Sequence, residues 1–369
     1  MNAIIGQVEL SAEERELFKR VESEKPRGPK KLILSPTDWC NLRCRTCWRL
    51  DKEINPNSYR DEELKFPEIA QVLEDAREMG VQELDLTGGG EPFSREDMLE
   101  ILSLAKDMGF WVTLTTNGTL LDEEKLRVLL ALGLDDITFS FDGSTAEVND
   151  EIRGEGVFER ALAALRRLQQ LKREGGFEAP VVRIAFVITA YNYFDIPELV
   201  EFAARHSVPA IQFSTLLEWD SNAHLSMSHA AAHNSLLDRL SGRNQPDPQE
   251  SLREGMRLAE KHEIYTNLKP ILTHGFFEHK TPNFCFAPWE MLFINSRGEA
   301  LACCILASFY ENELGNVRDI SLKGLWNSEK MQAFRKQMKE RNFFRGCRRC
   351  LPDFVDRFDA LEEKFKYVR

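Results

Sequence analysis

The sequence predicts an α/β fold, a partial (β/α)6 barrel followed by a small α+β domain. Three observations predict it. Apolar runs typical of buried strands alternate with segments of helical periodicity between residues 31 and 215, and six such units can be counted. The strand runs end in turns rich in glycine, asparagine or aspartate. Beyond residue 283 the pattern changes to a short hairpin and a helix, accompanied by five cysteines.

Composition limits the class of protein. A chain of 369 residues with 43% hydrophobic residues can bury a full core. Its formal charge of -12 repels phosphate backbones. The apolar runs are too short to span a bilayer, and the amino terminus lacks the basic-then-apolar pattern of a signal peptide. We therefore expect a cytoplasmic protein with neither nucleic-acid nor membrane partners.

The chain divides into four predicted segments. Residues 1–30 form a helix and a linker, 31–215 the barrel, 216–282 a helical connector that could cover the barrel mouth, and 283–369 the second domain. The six strands are expected at 31–36, 83–87, 110–115, 136–141, 181–189 and 210–215. Because chemistry in parallel barrels lies at the carboxyl ends of the strands, residues that directly follow these strands are the candidates for function.

Three cysteines follow the first strand closely. Cys40, Cys44 and Cys47 are separated by gaps of three and two residues. Reducing compartments keep thiols free, so this spacing favours metal chemistry over disulfides. Iron-sulfur clusters are held by cysteine thiolates, usually four. With three local ligands, the loop predicts a 4Fe–4S cluster with one iron open to an outside chelator; a zinc site with a distant fourth ligand is the alternative.

The second strand leads into a glycine turn made of Gly88, Gly89, Gly90, Glu91 and Pro92. Together with the Cys-x3-Cys-x2-Cys loop, this turn resembles the radical S-adenosylmethionine (radical SAM) superfamily over residues 31–215. The resemblance implies that SAM chelates the open iron and is cleaved reductively to methionine and a 5′-deoxyadenosyl radical, which abstracts hydrogen from substrate. It also implies a flavodoxin- or ferredoxin-type reductant. Taken alone, the turn is equally explained as an ordinary strand-to-helix connection.

The same resemblance implies a SAM pocket. The glycine turn would hold the amino group of SAM, because its glycines allow close approach. Ser140 and Asp142 would contact the ribose and sulfonium region, and Arg153 would pair with the carboxylate. Asn117 belongs to the same pocket, and Trp48 would shield the cluster or face the adenine. The alternatives are loop-end capping for the polar residues, a surface ion pair for Arg153 and simple packing for Trp48.

The second domain has its own cysteine set. Four thiolates suffice for a cluster held entirely by protein, and the predicted ligands are Cys285, Cys303, Cys347 and Cys350. Cys-x2-Pro-Trp, Gly-x4-Cys-Cys, Leu-Gly-Asn and the final Cys-x2-Cys resemble the SPASM/twitch extension of radical SAM proteins. The resemblance implies one auxiliary 4Fe–4S cluster in a twitch-like iron-sulfur domain. Cys304 is the spare cysteine or exchanges roles with Cys303, and a zinc site is the alternative.

An auxiliary cluster implies that the substrate loses a second electron. The layout resembles twitch-type dehydrogenases such as 2-deoxy-scyllo-inosamine dehydrogenase, so the predicted activity is oxidation of a small-molecule alcohol, either a sugar or an aminocyclitol. Glu218, Asp220 and His224 follow the last barrel strand and are the candidates for a catalytic base.

Three alternative functions remain open. A peptide-modifying maturase would make crosslinks, but such enzymes usually carry a leader-binding domain, and about thirty residues precede the barrel here. A redox-neutral sugar epimerase would need a hydrogen-donor cysteine, for which Cys304 is available. An electron carrier without catalysis is the third alternative, and the SAM-like pocket argues against it.

Overall fold

The computed structural model describes residues 10–23, 26–50, 61–218, 222–227, 247–276, 281–304 and 313–366. One mixed sheet of ten strands forms the centre of these residues. The strands are β1 (Lys31–Leu34), β2 (Glu83–Leu86), β3 (Trp111–Thr116), β4 (Asp136–Ser140), β5 (Val181–Ile188), β6 (Ala210–Thr215), β7 (Tyr265–Thr266), β8 (Met291–Ile294), β9 (Glu299–Leu301) and β10 (Glu313–Asn316).

The first six strands form the predicted parallel unit. β1 to β6 pair in chain order, each parallel to the next, so their carboxyl ends lie along one edge. On β5, every second side chain is buried, ending with Phe186 and Ile188. This alternation places one face of the strand under the helices and leaves the other facing the barrel interior. The predicted α/β architecture is confirmed.

Helices cover the outer face of the sheet. The helix Ile196–Arg205 shows why: Ile196, Leu199, Val200 and Ala203 recur at helical spacing and are all buried. The described helices are α1 (Ala12–Glu22), α2 (Phe66–Glu78), α3 (Met98–Asp107), α4 (Glu123–Ala131), α5 (Ala146–Arg153), α6 (Val157–Gly175), α7 (Ile196–Arg205), α8 (Pro248–Lys261), α9 (Leu268–His274), α10 (Ala287–Glu290), α11 (Leu322–Trp326), α12 (Glu329–Lys339) and α13 (Pro352–Lys366).

Beyond residue 215, the helices of the structure match the prediction in part. The single helix expected at 321–339 is split into α11 and α12, because Ser328 caps a new helix and accepts a hydrogen bond from the backbone N–H of Met331. Of the two helices expected in the connector, α8 is present, whereas most of the segment 226–240 lies outside the described residues.

The sheet continues past the predicted barrel on both sides. β7, in the connector, pairs in parallel with β6. β8 pairs in parallel with β1 over all four of its residues, and β9 and β10 extend the sheet from it as antiparallel strands. The two halves of the chain are therefore joined by backbone hydrogen bonds across the segment boundary predicted near residue 283.

The amino-terminal helix is also tied to the far end of the chain. The ring centroid of Phe18 on α1 lies 4.7 Å from that of Phe365 on α13 and 6.2 Å from that of Phe286. Lys364 forms a salt bridge with Glu14 at 2.5 Å. Among the described residues, no helix has the length and apolar character needed to cross a membrane.

Candidate functional site

A cavity of about 530 Å³ lies at the carboxyl ends of the barrel strands. It gathers most of the site residues that the sequence predicts. Those lining it are Cys40, Cys44, Cys47, Trp48, Gly88, Gly89, Gly90, Glu91, Asn117, Ser140 and Arg153. Residues that are far apart in the chain therefore meet in one place, as the strand-end argument requires.

The glycine turn is held directly against the cysteine loop. The N–H of Gly90 donates to the carbonyl of Thr37 at 2.6 Å, and the N–H of Glu91 donates to the carbonyl of Trp39 at 2.8 Å. A Cβ on Gly90 would lie only 1.8 Å from the Trp39 oxygen. Glycine is therefore required here for contact with the cysteine loop, a reason separate from the approach of SAM.

Glu91 is a buried anchor for the end of β3. Its carboxylate accepts from the hydroxyl of Thr116 at 2.6 Å and from the backbone N–H of Asn117 at 2.7 Å. Burial raises the pKa of Glu91 to about 7, although these two hydrogen bonds oppose the shift. Pro92 begins a short 3-10 turn behind it and does not line the cavity.

Asn117 reaches toward the first cysteine. Its side-chain nitrogen donates to Asn41 at 2.9 Å and lies 3.9 Å from the sulfur of Cys40. Thr119 donates to the Asn117 side-chain oxygen from both its N–H and its hydroxyl. The amide is therefore oriented with its N–H groups on the cysteine side, where a negatively charged cluster would accept them.

An ion pair with Asp142 holds the side chain of Arg153 in place. Its Nε lies 2.8 Å from Asp142 Oδ2, and Asp142 is fully buried. The backbone N–H of Val187 donates to the other oxygen of Asp142 at 2.9 Å. Burial opposes the charge of Arg153, yet Asp142 and the thiol of Cys44 raise its pKa overall. Asp142 thus positions Arg153 and does not itself reach the cavity predicted for SAM.

The three cysteines of the loop are half-buried in the cavity wall. Burial raises the pKa of Cys44 to about 12 and also raises that of Cys47, while Arg153 acts in the opposite direction on both. Such thiols become thiolates when they bind a metal. Among the described residues no group of three or more His, Cys, Asp or Glu side chains is arranged to hold a single metal ion. The sulfurs instead share a cavity wall, and this donor set suits an iron-sulfur cluster.

The carboxyl-terminal cysteines surround a second, much smaller cavity of about 40 Å³. All five contribute to its wall: Cys285, Cys303, Cys304, Cys347 and Cys350. The remaining wall is apolar and consists of Pro282, Ala287, Met291, Phe334, Met338, Phe343, Phe354 and Phe358. A sulfur-only donor set inside an apolar shell fits an auxiliary iron-sulfur cluster.

Cys304 stands out among these five. Burial raises the pKa of Cys285 to about 12 and that of Cys350 well above its ordinary value, and the neighbouring thiols of Cys347 and Cys304 add to both shifts. Cys304 also lines the large cavity, together with Leu351. The two cavities therefore share Cys304 in their walls. The predicted ligand Cys303 lines only the small cavity.

The described base candidates are not part of the cavity wall. Glu218 accepts a short hydrogen bond from Ser226, and His224 Nε2 lies 3.3 Å from an Nη of Arg45. Neither residue lines the cavity, and Asp220 lies outside the described residues.

Sequence reasoning missed several residues of the cavity wall. At the end of β6 the wall is formed by Ser214, Thr215, Leu216 and Leu217, and Phe293 of β8 and Asn295, which directly follows β8, also line it. The strand-end rule, applied strictly to β6, would have found the first four. The last two required knowing that β8 joins the barrel sheet.

Comparison with known families agrees with this geometry. A family model described as the radical SAM superfamily matches residues 34–203, and the SPASM model, described as an iron-sulfur cluster-binding domain, matches residues 285–351. The chain carries a radical SAM domain followed by a SPASM domain. These domains imply SAM, a radical SAM 4Fe–4S cluster and auxiliary iron-sulfur binding, and the donor sets of the two cavities fit them.

Individual relatives cover most of the chain. The tungsten-containing aldehyde ferredoxin oxidoreductase cofactor-modifying protein of Pyrococcus furiosus is 26% identical over 83% of this chain and 83% of its own. The PqqA peptide cyclase of Gluconobacter oxydans is 28% identical over 82% of this chain and 77% of its own. The crystal structure of Streptococcus suis SuiB bound to S-adenosylmethionine shares the fold, with a TM-score of 0.64, 17% identity, and coverage of 91% of this chain and 75% of that chain.

The expected resemblance to 2-deoxy-scyllo-inosamine dehydrogenase gains no support. A structure of BtrN with AdoMet and 2-DOIA matches at a TM-score of only 0.45 and 13% identity. A likeness this distant does not indicate a shared activity. The radical SAM and SPASM parts of the expectation are confirmed, and the particular dehydrogenase is not.

Proposed function

We propose that this protein is a radical SAM maturase that oxidatively modifies a peptide, for example by forming a crosslink. The sequence leaves this function open as an alternative to the oxidation of a small-molecule alcohol. The observation that carries it is the arrangement of the two cavities, which share Cys304 in their walls. Similarity to PqqA peptide cyclase over 82% of the chain supports a peptide as the substrate.

The residues of the large cavity have distinct tasks. Cys40, Cys44 and Cys47 would hold the first cluster, and the glycine turn and Arg153 would hold SAM. When bound, these groups supply a 5′-deoxyadenosyl radical that can take a hydrogen atom from a substrate. Arg153 keeps its charge because Asp142 pairs with it, so it can bind a carboxylate without losing a proton.

The wall of the large cavity favours a substrate that is larger than the cavity and inserts only one of its groups. A volume of about 530 Å³ is typical of a pocket for one ligand, and SAM would occupy it. Leu216, Leu217 and Leu351 form an apolar part of the wall, which excludes water from a reactive intermediate. With SAM bound, a peptide would insert only one side chain against this apolar wall, and its backbone would stay outside the cavity.

Oxidation of a small alcohol has weaker support. That reaction needs a base close to the reacting hydroxyl. Glu218, which accepts a hydrogen bond from Ser226, and His224, which lies beside Arg45, are the described candidates for this task, and neither lines the cavity. The carboxyl-terminal cysteines would hold an auxiliary cluster, which supplies a one-electron acceptor for either oxidation.

The test uses the full chain, reconstituted anaerobically with iron and sulfide. It is incubated with SAM, dithionite and a synthetic peptide encoded beside the gene; dithionite replaces the predicted flavodoxin- or ferredoxin-type reductant. We expect 5′-deoxyadenosine together with a peptide that has lost two hydrogen atoms, detected by mass spectrometry. Cys40→Ala should abolish both products, whereas Cys347→Ala should retain some SAM cleavage and lose peptide oxidation.

Two results would overturn the proposal. One is an unchanged peptide alongside conversion of an aminocyclitol to a ketone, which would restore the small-molecule dehydrogenase. The other is full peptide oxidation by Cys347→Ala, which would remove the electron-acceptor role of the second cysteine set.

A further inference from the structure

A buried polar network lies behind the loop that carries Cys40. Its members are Thr37 and Asp38 on the loop, Glu63 before α2, and Ser296 in the turn between β8 and β9, and all four side chains are buried. The SPASM domain therefore reaches the radical SAM domain through polar contacts as well as through the β1–β8 pairing.

Glu63 fixes the loop backbone. Its carboxylate accepts from the N–H of Asp38 at 2.7 Å, and the hydroxyl of Thr37 donates to both of its oxygens at 2.9 and 3.0 Å. The Thr37 hydroxyl in turn accepts from the N–H of Trp39 at 3.0 Å. Hydrogen bonds to a buried carboxylate are among the stronger ones in proteins, so this part of the loop has a single favoured conformation.

Ser296 holds the same loop from the opposite side. Its hydroxyl donates to Asp38 Oδ2 at 2.6 Å, and its carbonyl accepts from the N–H of Leu64 at 2.7 Å. Ser296 thus contacts both chain segments that position the loop, namely Asp38 itself and the residue after Glu63. Removing its hydroxyl would leave a buried carboxylate oxygen without this donor.

The network continues into the SAM cavity. The carbonyls of Thr37 and Trp39, on either side of Asp38, accept from Gly90 and Glu91 of the glycine turn. Asp38 itself lines the large cavity. A movement of Asp38 would therefore displace the cysteine loop and the glycine turn together.

We infer that Ser296 of the SPASM domain is a positioning residue that sets the geometry of the SAM-binding cluster loop through Asp38. The inference depends on the presence of the radical SAM domain and is independent of which substrate is oxidised. Under it, the carboxyl-terminal domain shapes the first site directly, in addition to binding an auxiliary cluster.

The test compares Ser296→Ala with the wild-type chain, both with reconstituted clusters, and needs no substrate. SAM affinity is measured by equilibrium dialysis, and the reduced first cluster is followed by electron paramagnetic resonance with and without SAM. We expect a SAM dissociation constant roughly threefold to tenfold higher, the range set by one hydrogen bond. We also expect a changed spectrum of the SAM-bound cluster.

Two further variants separate positioning from general destabilisation. Ser296→Thr retains the hydroxyl and should restore the wild-type affinity and spectrum. Ser251→Ala is a matched control, because Ser251 on α8 is buried and its hydroxyl oxygen has no hydrogen-bond partner among the described residues. Unchanged SAM affinity and spectrum in Ser296→Ala would overturn the inference, and so would equal losses in Ser296→Ala and Ser251→Ala.

Discussion

At the scale of single residues, two adjacent cysteines differ in which of the two cavities they line. Cys303 is buried and faces the small cavity, whereas Cys304 lines both cavities, and its thiol adds to the rise that burial causes in the pKa of Cys285 and Cys350. The spacing from Gly298 favours Cys303 as a ligand, whereas the electrostatic effect of Cys304 on Cys285 and Cys350 favours Cys304.

Alanine substitution at each position distinguishes them. We expect Cys304→Ala to lose auxiliary iron, because the thiol of Cys304 acts electrostatically on those of Cys285 and Cys350, and Cys303→Ala to retain more of it. Iron and sulfide per chain, measured after reconstitution, give the result, with Cys40→Ala as a reference for loss of the first cluster. The reverse order of iron content would show that the Gly-x4-Cys spacing identifies the ligand.

Site residues are easiest to predict where the chemistry requires a particular atom, such as the sulfur of a cysteine. Cys40, Cys44 and Cys47 were predicted from their spacing and the glycine turn from its composition, and the structure places both in the wall of one cavity. Asp142 was predicted to contact SAM; in the structure it pairs with Arg153 and does not line the cavity. A sequence shows that a polar residue ends a strand; it does not show which neighbour has already bound that side chain.

At the scale of elements, the connection from β4 to α5 is tied to the start of α7. Asp195 is buried and accepts from the N–H and the hydroxyl of Ser144, at 2.5 and 2.8 Å. Burial raises the pKa of Asp195 to about 7, against the opposing effect of these hydrogen bonds. This carboxylate secures the loop that precedes Arg153.

This contact predicts a pH dependence of stability. Because the pKa is raised on folding, the native state binds a proton more tightly than the unfolded chain between the ordinary pKa of 3.8 and about 7. Stability should therefore fall as pH rises through this window. In Asp195→Asn the neutral amide can still bond Ser144, so the variant should have a flatter profile and a higher melting temperature above neutral pH.

Thermal unfolding from about pH 5 to about pH 8 measures the effect, at about 1.4 kcal/mol for each unit of pKa change. Asp107→Asn, which alters an exposed carboxylate on α3, is the control. An equal pH slope in the wild type and in Asp195→Asn would contradict the prediction.

Long, periodic elements were the predictable ones. All six barrel strands lie within a few residues of their expected positions, because each combines an apolar run with a turn signal. β7 was missed because two residues carry no periodicity. β8 was expected as a strand, but its partner β1 is distant in sequence, and pairing over such a distance leaves no local pattern.

At the scale of the whole molecule, the shared sheet predicts cooperative unfolding. Leu292 of β8 is fully buried and pairs with Leu32 of β1. Leu292→Ala should cost about 2 to 5 kcal/mol. Because β8 and β1 belong to one sheet, the loss should lower hydrogen-exchange protection in β1 and β2 as well as in β8, as mass spectrometry can measure. Loss of protection confined to residues beyond 283 would contradict this prediction.

The β1–β8 pairing also sets an order of events during synthesis. β1 is the first strand of the sheet to leave the ribosome, yet the edge of β1 that faces β8 has no backbone partner until residues 291–294 have been synthesised. Ser296, which holds Asp38, arrives just after them. A nascent chain can therefore fold most of the barrel early, but it completes the surroundings of Cys40 only after residues 291–296 have been synthesised.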